Sequence, residues 1–128
     1  MNAAATIREY YEALRRGEPL YPYFAERPDV VKVGVGERLV GYDAIAEGLR
    51  EQTRTTEDWT VESDDLRATE RDGYAYFSDS VFMTWTNQEA NHEYAFSTRW
   101  SGAMERRGEG DAAEWLFVGM HVSTPYVG

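Results

Sequence analysis

Four long runs of alternating apolar and polar residues fill the second half of this chain: Trp59–Glu70, Tyr74–Thr86, His92–Arg106 and Glu114–Thr124. A period of two puts every second side chain on one face, the pattern of strands that bury that face. The joins at Arg71–Gly73, Asn87–Asn91 and the Gly- and Asp-rich Arg107–Ala113 are turn-forming, so the runs return on one another as hairpins in an antiparallel meander. The last run carries His121 and Ser123 on one face and stops at Pro125.

The first third has a different period. Ile7, Tyr10, Tyr11 and Leu14 stand at i, i+3, i+4 and i+7, one face of a helix over residues 3–16, with Arg15 and Arg16 in its last turn and Gly17 as its stop. Pro19–Ala25 fits a second, short helix, and Val30–Val35 reads as a strand that turns at Gly36 and Glu37 into the short run Arg38–Val40. Asp43 is placed to cap a helix reaching about Arg54, with Glu47 completing a loose capping pattern. Helices gathered ahead of a sheet predict an α+β fold with the helices on one face. So few helices leave the other face in need of a partner, and a twofold homodimer through it is expected.

A chain of 128 residues with 42% hydrophobic and 14% aromatic residues has material for one domain with a sizeable core. No segment has the length and apolarity to span a bilayer. Residues 1–5 lack the layout of a secretion signal, and the absence of cysteine fits a reducing compartment, so a cytoplasmic protein is expected. Asp and Glu number 23 against 13 Lys and Arg, a net charge of -10 that repels nucleic-acid phosphates and anionic membranes. Lys32 is the only lysine. Strong acidity with almost no lysine is the composition of proteins from a high-salt cytoplasm, although a GC-rich genome also favours arginine.

Five local marks in order carry a resemblance: Ile7–Gly17, Phe24 with Ala25, Gly41–Ile45, Thr98–Trp100, and Trp115 followed by His121–Pro125. With the order of elements, they resemble the nuclear-transport-factor-2-like superfamily, which includes SnoaL-like polyketide cyclases, ketosteroid isomerases and the association domain of calmodulin-dependent kinase. The resemblance implies a cone in which a curved antiparallel sheet (the four-strand meander plus the short N-terminal hairpin) wraps on the helices and encloses a pocket. It also implies dimerisation through the sheet. The same cone serves enzymes, binders and assembly hubs, so the residues decide.

Tyr10 matches the helix-one tyrosine that ketosteroid isomerases use as an oxyanion donor; the alternative is simple core packing. The isomerase's base belongs at Val31–Val33, where no carboxylate stands and where Lys32 serves only if burial lowers its pKa strongly. That disfavours steroid-isomerase chemistry. A symmetric turn at residues 87–91 sets Arg99 opposite Asp79, and the next hairpin sets Arg99 opposite His121. The expected Asp79–Arg99–His121 row suits an anionic ligand or an acid–base pair, or else an ion pair that fixes the sheet or an interface. A single β-bulge would reverse these faces.

Ser123 beside His121 has neither a nucleophile elbow nor an orienting third group, which argues against a hydrolase. His92 and His121 form no metal-ligand spacing with the carboxylates, so no metal or cofactor is expected. Gly34–Gly36 is no phosphate loop. Among the aromatics, Tyr21, Tyr23, Trp85 and Trp100 are assigned to a pocket, and Trp59 and Trp115 to an interface or the core. The candidate catalytic residues are Tyr10, Asp79, Arg99 and His121, and the candidate ligand-binding residues are Tyr10, Tyr21, Trp85, Arg99, Trp100 and His121. The expected partner is a small molecule, a carboxylate suiting Arg99. A cofactor-free isomerase, dehydratase or cyclase is one expectation, and a non-catalytic association or ligand-sensing module is the other.

Overall fold

The computed structural model describes residues 1–126. Helix α1 (Ala3–Arg16) begins where the Asn2 side chain accepts the Ala5 N–H at 2.8 Å. It ends at Gly17, whose φ of 67° lets the Gly17 and Glu18 N–H groups fold back onto the Leu14 and Ala13 carbonyls. The face predicted from spacing is buried: Ile7, Tyr10, Tyr11 and Leu14 are all at most 4% exposed. Pro19–Ala25 forms only a three-residue 3-10 turn, Tyr21–Tyr23, which ends at Phe24, where the backbone turns extended and bridges to Phe117.

Strands β1 (Val31–Val33) and β2 (Arg38–Val40) form a short antiparallel hairpin. Helix α2 (Tyr42–Thr55) starts before Asp43. Its N-cap is Gly41 at φ 91°, whose N–H is held by the Val30 carbonyl, and Asp43 sits in the first turn, where a negative charge suits the helix dipole. Asp43 is therefore not the cap that the sequence suggests. Five strands follow: β3 (Thr56–Ser63), β4 (Arg67–Arg71), β5 (Tyr74–Asn87), β6 (His92–Arg107) and β7 (Glu114–Ser123).

The strands make one curved sheet in the order β2-β1-β7-β6-β5-β3, with β4 paired to β5 beside β3. The hairpins are antiparallel as expected, while β1 runs parallel to β7, so the seven-stranded sheet is mixed. The run predicted as one strand, Trp59–Glu70, is two. β3 pairs with the second half of β5 and β4 with the first half. The chain breaks between them so that the Asp65 N–H can reach the Asp79 carboxylate at 3.0 Å and the Asp64 N–H the Ser80 carbonyl at 2.9 Å.

Two registers differ from the expectation. The β5–β6 loop holds four residues, not five, since Asn87 pairs with His92. Asn87 caps that loop by accepting the Ala90 N–H, and Asn91 takes φ 49°. The one-residue change sets Asp79 against Trp100 and Ser80 against Arg99. Between β6 and β7 a bulge at Ala103/Met104 shifts the pairing, so Arg99 meets Ser123 and Ser101 meets His121. The Asp79–Arg99–His121 row does not form. Asp79 and Trp100 point inward at 5% exposure each, while Arg99 and His121 lie on the exposed outer face.

Helix α1 packs on the concave face through aromatic edges. Tyr11 meets Trp100 at 5.3 Å and Tyr10 meets Phe117 at 5.3 Å, each ring nearly perpendicular to its partner. Burying such a side chain contributes roughly 1.5–3 kcal/mol, so this seam dominates the attachment of helix to sheet. Close approach at the sheet centre requires Gly102, because a Cβ there would run into the Gly119 carbonyl and the Phe77 ring.

Candidate functional site

The concave face leaves a cavity of about 150 Å3 between α1, the end of α2, the β1–β2 turn and the inner faces of β5, β6 and β7. Such a volume accommodates a benzene-sized molecule. Wider depressions beside Arg27 and Arg15 are surface clefts rimmed by exposed charged side chains.

Apolar groups form most of the cavity wall, with Leu14, Met83 and Val122 beside the three tryptophans Trp59, Trp85 and Trp100. Trp100 is fixed by a relay: its indole N–H donates to the Thr98 hydroxyl at 3.0 Å, which donates to the Val81 carbonyl at 2.6 Å. Trp59 donates its indole N–H to Thr56 at 2.9 Å and stacks on Trp85, with centroids 4.7 Å apart and planes 16° from parallel. The stack continues out of the cavity along the β5–β6 hairpin through Tyr94 and Phe96. Trp59 thus belongs to the cavity wall, contrary to its expected place in an interface or the core, whereas Trp115 is buried at 6% exposure.

Besides Gln52 at the end of α2, three polar side chains that can donate or accept protons face this apolar space. Tyr10 is held by ring edges from Tyr23, Phe24, Trp100 and Phe117. Its hydroxyl has no hydrogen-bond partner among the described residues, yet no buried polar side-chain atom among them is left unpaired, so this oxygen opens onto the cavity. Burial, then the charge of Glu37, pushes the Tyr10 phenol well above its ordinary range, so it is a neutral donor at neutral pH.

Lys32 is the second. It sits on β1 with its side chain 8% exposed, and its Nζ donates to Glu37 Oε1 at 2.8 Å. Glu37, the third, reaches in from the β1–β2 turn with its side chain 44% exposed. Gly34 makes room for the pair, since a Cβ there would strike the Glu37 carboxylate and stand 3.3 Å from Lys32 Nζ. An oxygen-bearing ligand entering the cavity therefore meets a cation and a phenol, with a carboxylate beside the cation.

Of the residues singled out from sequence, Tyr10, Trp85 and Trp100 line the cavity together. Tyr21 lies outside it under the Arg50 guanidinium, 4.2 Å from its ring centre, and Tyr23 only buttresses Tyr10. Arg99 is exposed and donates to the Thr124 carbonyl at 3.2 Å. Asp79 is buried away from the cavity and accepts from Tyr11 at 2.7 Å, Ser63 at 2.6 Å and the Asp65 N–H at 3.0 Å. Three donors satisfy it without a cation, and the bond it accepts, after burial itself, raises the Tyr11 phenol.

Sequence reasoning passed over Glu37, Gln52 and Met83 as cavity residues and weighed Lys32 only as a disfavoured base. The signal for Lys32 was present. A charge between two valines on a strand is aimed opposite to them, and the valines of β1 are half-buried on the outer side while Lys32 is 6% exposed.

Among the described residues no helix is long and apolar enough to cross a membrane, and no group of three His, Asp or Glu side chains could hold a metal ion. No curated protein matches the chain. Its structure is similar to that of a protein named as a dehydratase of the nuclear transport factor 2-like family from Streptomyces avermitilis, with a TM-score of 0.81 and 15% identity over 97% of this chain and 94% of that one. It is also similar to a ketosteroid isomerase-like protein from Erwinia carotovora atroseptica, with a TM-score of 0.74 and 17% identity over 97% and 94%. A protein from Xanthomonas campestris named as a calcium/calmodulin-dependent protein kinase II association domain gives a TM-score of 0.74 and 19% identity over 95% and 84%. These identities speak for the fold, and a family model for the SnoaL-like domain matches residues 3–127. By that match over nearly its whole length, the chain belongs to the SnoaL-like domain family.

Proposed function

We propose that the cavity binds a small carbonyl or carboxylate compound of about one ring, and that the chain is a cofactor-free enzyme of the isomerase, dehydratase or cyclase type. The observation that carries this reading is the buried Lys32, paired with the half-exposed Glu37, in the same apolar cavity as a Tyr10 hydroxyl that has no hydrogen-bond partner among the described residues. Reactions of this class move a proton beside a carbonyl and pass through an enolate-like oxygen. Lys32 and Tyr10 supply donors for that oxygen in a site of low dielectric, where such donors act most strongly. Glu37 supplies a base, and the indole walls orient a flat ligand. The names of the dehydratase-like and isomerase-like structural relatives agree with this reading.

Tryptophan fluorescence tests it, because Trp59, Trp85 and Trp100 line the cavity. Small aromatic acids and ketones should quench the emission saturably. Tyr10→Phe and Lys32→Gln should each weaken binding at least about tenfold, since a hydrogen bond to a charged group is worth ~1.5–3 kcal/mol. Equal binding by the wild type and both variants would refute the reading.

A second copy of the chain is proposed for the outer face of the sheet. The specific observation is that Tyr76 and Phe82 of β5 remain 48% and 42% exposed there, beside Arg99 and His121 and among small serines and alanines of β6. A sheet face of mostly small side chains with a few large anchors suits a twofold contact. Arg99 and His121 then serve assembly, not the cavity.

A further inference from the structure

We propose that Lys32 is an amine nucleophile that captures an aldehyde or ketone in the cavity as an imine; this rests on the pocket reading above and names its reactive group.

The argument begins with what the chain does with positive charge. Twelve of its thirteen cationic side chains are arginine, and those of Arg16, Arg54, Arg67 and Arg107 are more than 60% exposed. The single lysine has an 8% exposed side chain in the floor of an aromatic cavity. Whatever pressure set arginine at the surface spared the one position where an amine lines the cavity. A guanidinium stays protonated and is no nucleophile, whereas a lysine amine can release its proton and add to a carbonyl carbon. Charge alone does not explain lysine here, because arginine binds carboxylates better through its two-pronged fork.

The surroundings complete the chemistry. Glu37 stands 2.8 Å from Nζ and can take the ammonium proton. The amine nitrogen then bonds to the carbonyl carbon while the C=O electron pair moves onto oxygen. That oxygen takes a proton from nitrogen, with the Tyr10 hydroxyl as its hydrogen-bond donor, to give a carbinolamine. The C–O bond breaks as Glu37 returns its proton, and water leaves. Ammonium and carbonyl have become a protonated imine and one water, paired with the Glu37 carboxylate, and nothing else is consumed. The aromatic wall holds the ring of the captured compound.

The only other amine in the chain is the α-amino terminus, which makes the test clean. The full chain is incubated with benzaldehyde and sodium borohydride, and the benzyl groups are mapped by peptide mass spectrometry. Labelling of Lys32 should outpace that of the α-amino group by about tenfold or more, as expected for a carbonyl held next to its nucleophile. Benzoate, which cannot form an imine, should occupy the cavity, protect Lys32 and leave the terminal amine unprotected. Lys32→Arg should retain labelling at the terminus alone. Benzoate binding seen by fluorescence with no benzyl group on Lys32 overturns the imine and leaves the pocket reading standing. Absence of both benzoate binding and Lys32 labelling overturns both.

Discussion

Two neighbouring tyrosines on α1 divide the labour of the helix. Tyr11 donates to a buried carboxylate and anchors the helix to β5, while Tyr10, one position earlier, leaves its hydroxyl to the cavity. Both phenols are raised well above their ordinary value of 10.0, chiefly by burial. A group whose pKa is raised by folding contributes stability that is whole below its unfolded value and is lost as the pH climbs toward the folded one. The window therefore opens at about pH 10 and extends upward. Thermal melts should be flat near neutrality and fall steeply above about pH 10, and replacing both residues by Phe should flatten that limb. A wild-type limb no steeper than that of the double variant would mean that these hydroxyls ionise freely in the folded protein.

At the level of elements, the kind and order of secondary structure were legible because they follow from period and punctuation. α1 was readable to its ends, since a 3.6-residue stripe stops at a glycine that takes left-handed backbone. The long strands β5, β6 and β7 were readable within a residue or two. Register was not, because the length of the loop at residues 88–91 depends on backbone that hydrophobicity does not encode, and one residue there turned Arg99 outward. The break between β3 and β4 was hidden as well, for it answers a hydrogen-bonding need of Asp79 on another strand. The cavity was half legible: Tyr10, Trp85 and Trp100 follow from face and parity, while Lys32 and Glu37, which meet locally across the β1–β2 turn, reach the cavity only because β1 pairs in parallel with β7, a contact distant in sequence. The register makes its own prediction through double-mutant cycles. Asp79→Asn with Tyr11→Phe should show a coupling of ~1.5–3 kcal/mol. Asp79→Asn with Arg99→Met should be additive within about 0.5 kcal/mol, because the two side chains lie on opposite faces. A coupling between residues 79 and 99 as large as that with Tyr11 would restore the ion pair and contradict the structure.

For the whole molecule, charge and assembly are one problem. Each copy carries a net charge of -10, and the proposed contact brings two such copies together through a sheet face on which Arg99 and Arg67 stand with Glu62 beside Phe82. Repulsion within and between copies is long-ranged in dilute buffer and falls away with salt, the Debye length dropping to about 3 Å at 1 M. The aromatic anchors Tyr76 and Phe82 act over van der Waals distance and are not weakened by that screening. Salt should therefore strengthen both the fold and the dimer. Between about 0.05 M and about 1 M KCl the melting temperature should rise by several degrees, about 1 kcal/mol moving a domain of this size by ~3–6 °C. Over the same range, light scattering at micromolar concentration should move toward twice the chain mass of 14.7 kDa. Phe82→Glu adds a charge to the contact and removes an anchor, so it should hold the mass at the single-chain value while the melting temperature still rises with salt. A rise in melting temperature without any change in mass would keep the high-salt reading and remove the dimer. A mass and melting temperature that both ignore salt would mean that the acidic surface is no adaptation to screening.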